Sequence, residues 1–180
     1  MSIAHAILVS LVTCPQSGYD LAKKFDGSVG FFWKATHQQI YRELTKLEEL
    51  GWLIPQTIAQ EGRPDKKLFS LSELGQENLK KWISQPCDIS PNKEEILVKI
   101  YAGYLVTPRI LELEISRHQQ LHQQKLAIYQ EIERQMNAKV QGLPQSIKYP
   151  YLTLRMGIKF ERAWIEWCDE AIAMLQNDQT

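Results

Sequence analysis

Apolar residues recur at three- and four-residue spacings along most of the chain, and the breaks in that rhythm mark where helices start and stop. Ile3, Ile7, Leu8 and Leu11 place a stripe on a helix over Ser2–Val12 that Pro15 ends. Ser17-Gly18-Tyr19-Asp20 has the Ser-x-x-acid form of a capping box, and Leu21, Ala22 and Phe25 follow it before Gly27 closes a short helix. Thr36-His37-Gln38-Gln39 is a second box, opening a helix whose Ile40, Leu44 and Leu47 share one face as far as Gly51. The rhythm then changes. Trp52–Ile58 and Lys67–Leu71 are rich in β-branched and aromatic residues and bracket Glu61-Gly62-Arg63-Pro64-Asp65, which predicts a hairpin. Pro55 cannot donate to a ladder, so the first arm is expected at an edge. Ser72 caps a helix carrying Leu74, Leu79 and Trp82, which Gln85-Pro86 ends.

Beyond Pro86 the pattern is helical throughout. Cys87–Pro91 is a short linker, and Lys93–Tyr104 predicts a helix. Thr107-Pro108 pairs an N-cap with proline at the first helical position and opens a long helix to Gln141. Its stripe is Leu111, Ile115, Leu121, Ile128, Ile132, Met136 and Val140, interrupted by His118, Gln124 and Lys125. So narrow a seam suits packing against partner helices. After Gly142-Leu143-Pro144 a last helix, about Tyr151–Gln176, carries Met156, Phe160, Trp164, Trp167, Ala171 and Leu175, the most apolar face in the chain. The expected fold is mainly α with a small β-hairpin wing. A winged helix-turn-helix domain would occupy residues 1–86, and a helical dimerisation and effector-sensing domain residues 87–180.

Composition changes this picture little. The chain has 180 residues, 44% hydrophobic and 23% charged, enough to bury a core. Cys14, Cys87 and Cys168 are odd in number and far apart, so neither a disulfide framework nor a zinc pair is expected. No apolar run reaches the roughly 18 residues of a membrane span, and Met1–Thr13 lacks the features of a secretory signal, so the expected location is the cytoplasm. Lys plus Arg and Asp plus Glu are 21 each, so overall charge does not point to nucleic acid. The location of the cations decides.

A helix that reads DNA keeps one face in its own core and offers polar side chains near its N-terminus to base edges in the major groove. The His37–Leu50 helix has that form. Gln38, Arg42 and Thr45 lie opposite its apolar face, flanked by Thr36, His37, Gln39 and Tyr41, while Glu48 and Glu49 fall at the far end. Gln can bond adenine and Arg guanine bidentately. Arg63, Lys66 and Lys67 are placed at the hairpin tip, where cations can reach phosphates or the minor groove. Either feature alone would be an ordinary solvated surface; their order along the chain is the more specific signal.

These segments resemble the PadR family of bacterial transcriptional regulators, in the branch with a long helical C-terminal domain. The resemblance rests on Ser17-Gly18-Tyr19-Asp20-Leu21, Trp33, Gln39-Ile40-Tyr41, Leu44–Leu50, Gly62-Arg63-Pro64, Phe69-Ser70-Leu71 and Trp164. It implies a homodimer whose paired winged helices bind a palindromic operator on double-stranded DNA, often repressing, with release by a small molecule or another signal. It further implies that the His37–Leu50 helix is the reader, that Arg63–Lys67 is the wing, and that Tyr19 and Lys34 contact phosphates. It implies no cofactor and does not fix the effector.

Trp164 and Trp167 are expected to pack in the core or a dimer interface; the alternative is a pocket for a small aromatic effector, which Met156, Phe160 and Cys168 would help line. His118 and His122, one turn apart, have no Cys or acidic partner at metal-ligand spacing and are expected at a surface or interface. Glu94-Glu95 complements a helix dipole. A competing class is a winged helix that binds protein rather than DNA. An enzyme is disfavoured, because the chain has no phosphate-binding glycine loop, nucleophile elbow or catalytic pair.

Overall fold

The computed structural model describes residues 3–25, 35–60, 62, 65–89, 93–136 and 144–177. Expectations resting on Gly27, Trp33, Glu61, Pro64, Pro91 and Val140–Leu143 lie outside them, as do Lys34 and Arg63. The chain divides into two compact units, residues 1–89 and 90–180.

The first unit runs α1 (Ile3–Leu11), β1 (Gln16–Ser17), α2 (Gly18–Phe25), α3 (His37–Glu49), β2 (Leu53–Ile58), β3 (Lys66–Leu71) and α4 (Glu73–Ile83). The stripes anticipated for its first three helices form the core: Ile7, Leu8 and Leu11 meet Leu21, Ala22 and Phe25 of α2 and Ile40, Leu44 and Leu47 of α3. Leu53, Phe69 and Leu79 close it from the strands and α4. Each such Leu, Ile or Phe side chain contributes about 1.5–3 kcal/mol of burial. The sheet has three antiparallel strands in the order β1-β3-β2, so the hairpin gains a two-residue third strand in which Gln16 faces Phe69. Pro55 sits on β2 at the edge, as its missing N–H requires.

Two turns set the geometry around α3. Thr36 and Gln39 complete the capping box: the Thr36 hydroxyl accepts from the Gln39 amide, and the Gln39 side chain accepts from the Thr36 amide. At the far end Gly51 adopts φ +70°, its amide bonds the Glu48 carbonyl and that of Trp52 bonds Leu47, a complete Schellman stop. The Trp52 carbonyl then accepts from the Ser72 amide, and Gly75 of α4 lies so close to it that a Cβ there would be 2.2 Å from the oxygen. Helix α4 packs on the backbone that ends α3.

The second unit runs α5 (Glu95–Tyr101), a 3-10 turn (Gly103–Leu105), α6 (Pro108–Gln135) and α7 (Gln145–Asn177). Helices α6 and α7 pack along their lengths as an antiparallel pair, marked by Glu112–Gln176, Gln119–Asp169, His122–Glu161 and Glu133–Arg155 bonds. Ile96, Leu111, Ile115, Trp164 and Cys168 form the core. Three details depart from expectation. Helix α7 starts six residues earlier than Tyr151 and runs through Pro150, which this close to the helix start removes a single backbone bond. Lys93–Tyr104 splits into a short α-helix and a 3-10 turn. The buried face of α6 is Leu111, Ile115, His122 and Tyr129, whereas Leu121 and Ile128 are exposed. His122 is therefore a core residue and not a surface one.

Candidate nucleic-acid interface

The polar face of α3 is what its caps and core leave outward. His37, Gln38, Gln39, Tyr41, Arg42 and Thr45 are all exposed, while Ile40, Leu44 and Leu47 on the opposite side are sealed. Hydrogen bonding divides the exposed set. The Gln39 side-chain oxygen is held by the Thr36 amide at 2.9 Å and the Thr36 hydroxyl at 3.3 Å, and Thr45 Oγ1 donates to the Tyr41 carbonyl at 3.2 Å. Gln38 and Arg42, one turn apart on the same face, make no side-chain bond among the described residues. Gln38 keeps its donors and its acceptor, and Arg42 its donors.

Helix α2 is set against α3 through a missing side chain. A Cβ on Gly18 would come within 2.6 Å of the Tyr41 ring, so glycine at the first residue of α2 admits that ring. Tyr19 beside it is 63% exposed. The Ser17 hydroxyl accepts from the Asp20 amide at 3.1 Å and donates to Asp20 Oδ2 at 2.8 Å, the cap anticipated from Ser17-x-x-Asp20.

The wing differs from expectation in one respect. Lys66 and Lys67 are not at the hairpin tip; they face Ile58 and Thr57 in the ladder, at the stem. Both are ion-paired, Lys66 to Asp20 at 2.8 Å and Lys67 to Glu48 at 2.7 Å. The Lys66 ammonium, followed by the Ser17 hydroxyl, holds the Asp20 carboxyl below its ordinary range. The carboxylate partners carry no motif, since they come from residues 46 and 19 positions away in the chain.

In the second unit the residues expected at an effector or dimer surface separate. Trp164 and Cys168 are buried and Trp167 is half-buried beside them, while Met156 and Phe160 are exposed. Burial pushes the Cys168 thiol up, which opposes thiolate chemistry. His122 stacks on Trp164 at 4.8 Å and 6°, Trp167 meets Trp164 edge-on at 5.2 Å, and His122 Nδ1 bonds Glu161 Oε2 in a contact the sequence did not reveal. Glu161 stands on the otherwise apolar buried face of α7. No group of three or more His, Cys, Asp or Glu that could hold a metal ion is present among the described residues, and none of their helices is long and apolar enough to cross a membrane.

A winged helix with a capped, outward-facing third helix, joined to a helical unit, is the architecture of a group of transcriptional regulators. Residues 7–81 match the Transcriptional regulator PadR-like family and residues 92–176 match the Virulence activator alpha C-term family. The chain is 37% identical to the probable transcriptional regulator Rv1176c of Mycobacterium tuberculosis, over 98% of both chains. It is 29% identical to the negative transcriptional regulator PadR of Bacillus subtilis over 98% of each. The crystal structure of that protein with operator DNA matches at a TM-score of 0.84 and 26% identity, over 96% of this chain and 98% of the other; one with p-coumaric acid matches at 0.79 and 27%, over 97% and 98%. The Vibrio cholerae virulence activator AphA matches at 0.78 and 33% identity over 98% and 99%. The chain belongs to the PadR-like family of transcriptional regulators. Its family and relatives are regulators, not enzymes.

Proposed function

We propose that this protein is a homodimeric repressor that reads a palindromic operator through α3 and is released by a small aromatic effector. The observation that carries the reading is the pair Gln38 and Arg42: unbonded, adjacent on the outer face of a helix capped at both ends, at the spacing of one helical turn. In the major groove Gln38 would select adenine and Arg42 guanine. Tyr19, Lys34 and Arg63 would fix the register on phosphates. The match to PadR of Bacillus subtilis, solved on operator DNA, supports this use of the fold, and its description as a negative regulator supports repression. The same protein was solved with p-coumaric acid, which supports an aromatic acid as the class of effector.

The homodimer is supported by what the second unit leaves uncovered. Tyr149, Leu152, Met156 and Phe160 form an exposed row on α7, and Leu113, Leu121 and Ile128 are exposed on α6. Exposed apolar rows of this kind suit a partner site, and a second copy offers the same rows by two-fold symmetry. A dimer also presents two α3 helices to half-sites about one helical turn apart. Residues 1–86 then serve DNA and residues 87–180 serve pairing and sensing.

An electrophoretic shift with the DNA upstream of the protein's own gene, at low and physiological salt, tests the reading. Retardation relieved by competitor operator is expected. Arg42→Ala should relax base preference and cost about 1–3 kcal/mol. No retardation at low salt would refute DNA binding, and a transcript that rises when protein is added would refute repression.

A further inference from the structure

The cations at the wing stem are committed before any DNA arrives. Lys67 Nζ donates to both carboxylate oxygens of Glu48, at 2.9 and 2.7 Å, and lies 5.3 Å from the Phe69 ring centroid. Lys66 Nζ stands 2.8 Å from Asp20 Oδ2, whose other partner is the Ser17 hydroxyl. Glu48 belongs to the last turn of α3 and Asp20 to the first turn of α2, so neighbouring residues of β3 are tied to both helices. Each ammonium is neutralised locally, and two of the three donors of Lys67 are already used. A phosphate could engage Lys67 fully only by displacing a two-oxygen partner.

We propose that Lys66 and Lys67, with Asp20 and Glu48, are positioning residues that brace the wing against α2 and α3, and are not the phosphate contacts their charge suggests. This rests on the reading of α3 as the DNA-reading helix. A surface ion pair adds little to folding. Its effect on binding is different: a wing already held at a fixed distance from α3 loses less conformational freedom on the duplex. Removing a carboxylate near a polyanion should strengthen binding by electrostatics alone; it weakens binding only if that carboxylate holds something in place.

The probe is a duplex of about three helical turns, isolated from a random-sequence pool by the unmodified protein, titrated by fluorescence anisotropy between about 50 and 200 mM salt. Circular dichroism checks that each variant is folded. Glu48→Gln and Lys67→Met are each expected to weaken binding about three- to tenfold, the scale of one ordering cost. The double variant should be no weaker than either single one, with the dependence on log salt parallel to that of the unmodified protein. The exchange Glu48→Lys with Lys67→Glu should return affinity to within about threefold, because it restores the link while reversing the charge of the strand. Asp20→Asn and Lys66→Met should behave in the same way. Glu48→Gln that binds as well as or better than the unmodified protein, or Lys67→Met that flattens the salt slope by about one unit, overturns the proposal and makes Lys67 a phosphate contact. Failure of the unmodified protein to isolate any duplex overturns the DNA reading itself, and the brace with it.

Discussion

Replacing His122 by leucine tests whether the packing of α6 on α7 depends on a buried ionisable pair. Glu161 is 2% exposed and its Oε2 is bonded to His122 Nδ1. The Glu161 charge is also felt by Tyr129, whose hydroxyl pKa is pushed up by burial and then by that charge. His122→Leu keeps the side-chain bulk but strands that carboxylate, and breaking one partner of a buried pair costs about 3–5 kcal/mol. Glu161→Leu is the milder change. The imidazole it leaves keeps its stack on Trp164 and costs about 1–3 kcal/mol as an unsatisfied buried group. With both replaced, the carboxylate and its imidazole partner are gone together, and stability should return to within about 1 kcal/mol of the original. Guanidinium unfolding followed by tryptophan fluorescence measures all four corners of the cycle, because Trp164 stacks on His122 and Trp167 meets Trp164 edge-on. Protein concentration must be held constant, since a dimer gains apparent stability by mass action. The reasoning is refuted if Glu161→Leu is as costly as His122→Leu, or if the double variant loses the sum of the two single losses.

Gly75→Ala should destabilise the first unit by about 1–3 kcal/mol, read as a lower melting temperature, because its new Cβ would stand 2.2 Å from the Trp52 carbonyl oxygen, a backbone atom that cannot swing away. Acidification should also destabilise: burial lowers the His5 and His118 pKa values below 6.5, so the unfolded chain binds more protons and stability falls as pH drops through that value. Melting at pH 7.5 and 5.5 reads this, and His5→Phe, which retains a ring against Trp82, should reduce the fall. Met156→Glu with Phe160→Glu should give folded monomers by sedimentation, since both side chains are exposed in the single chain; an unchanged dimer mass would remove this row from the interface.

The first unit was largely legible because its signals are local. The Thr36–Gln39 box, the Ser17–Asp20 cap and the Gly51 stop each join residues within a few positions, and the predicted stripes of the first three helices became the core, whereas Leu74 of α4 is exposed. The misplaced features are those set at long range. Strand β1 is two residues whose identity as a strand depends wholly on β3, and Lys66 and Lys67 read as tip residues because the ladder extends beyond the β-branched run.

The second unit shows why hydrophobicity alone gave only the first part of the buried face of α6, Leu111 and Ile115. A helix in an oligomer has two apolar demands, one toward its own chain and one toward a partner, and a stripe drawn through every aliphatic residue merges them. On α6 the merged stripe ran through Leu121 and Ile128, both exposed, and passed over His122 and Tyr129, both buried. On α7 it joined Met156 and Phe160 to Trp164, although only Trp164 faces the core. The inward face accepts histidine and glutamate because they bond each other, whereas the outward face holds the aliphatics that a single chain leaves in water. Exposed leucine and isoleucine beside a buried polar pair is thus the pattern expected when the strongest apolar surface of a helix is reserved for a second chain, and it directs disruption of a dimer to Met156 and Phe160 and away from Trp164.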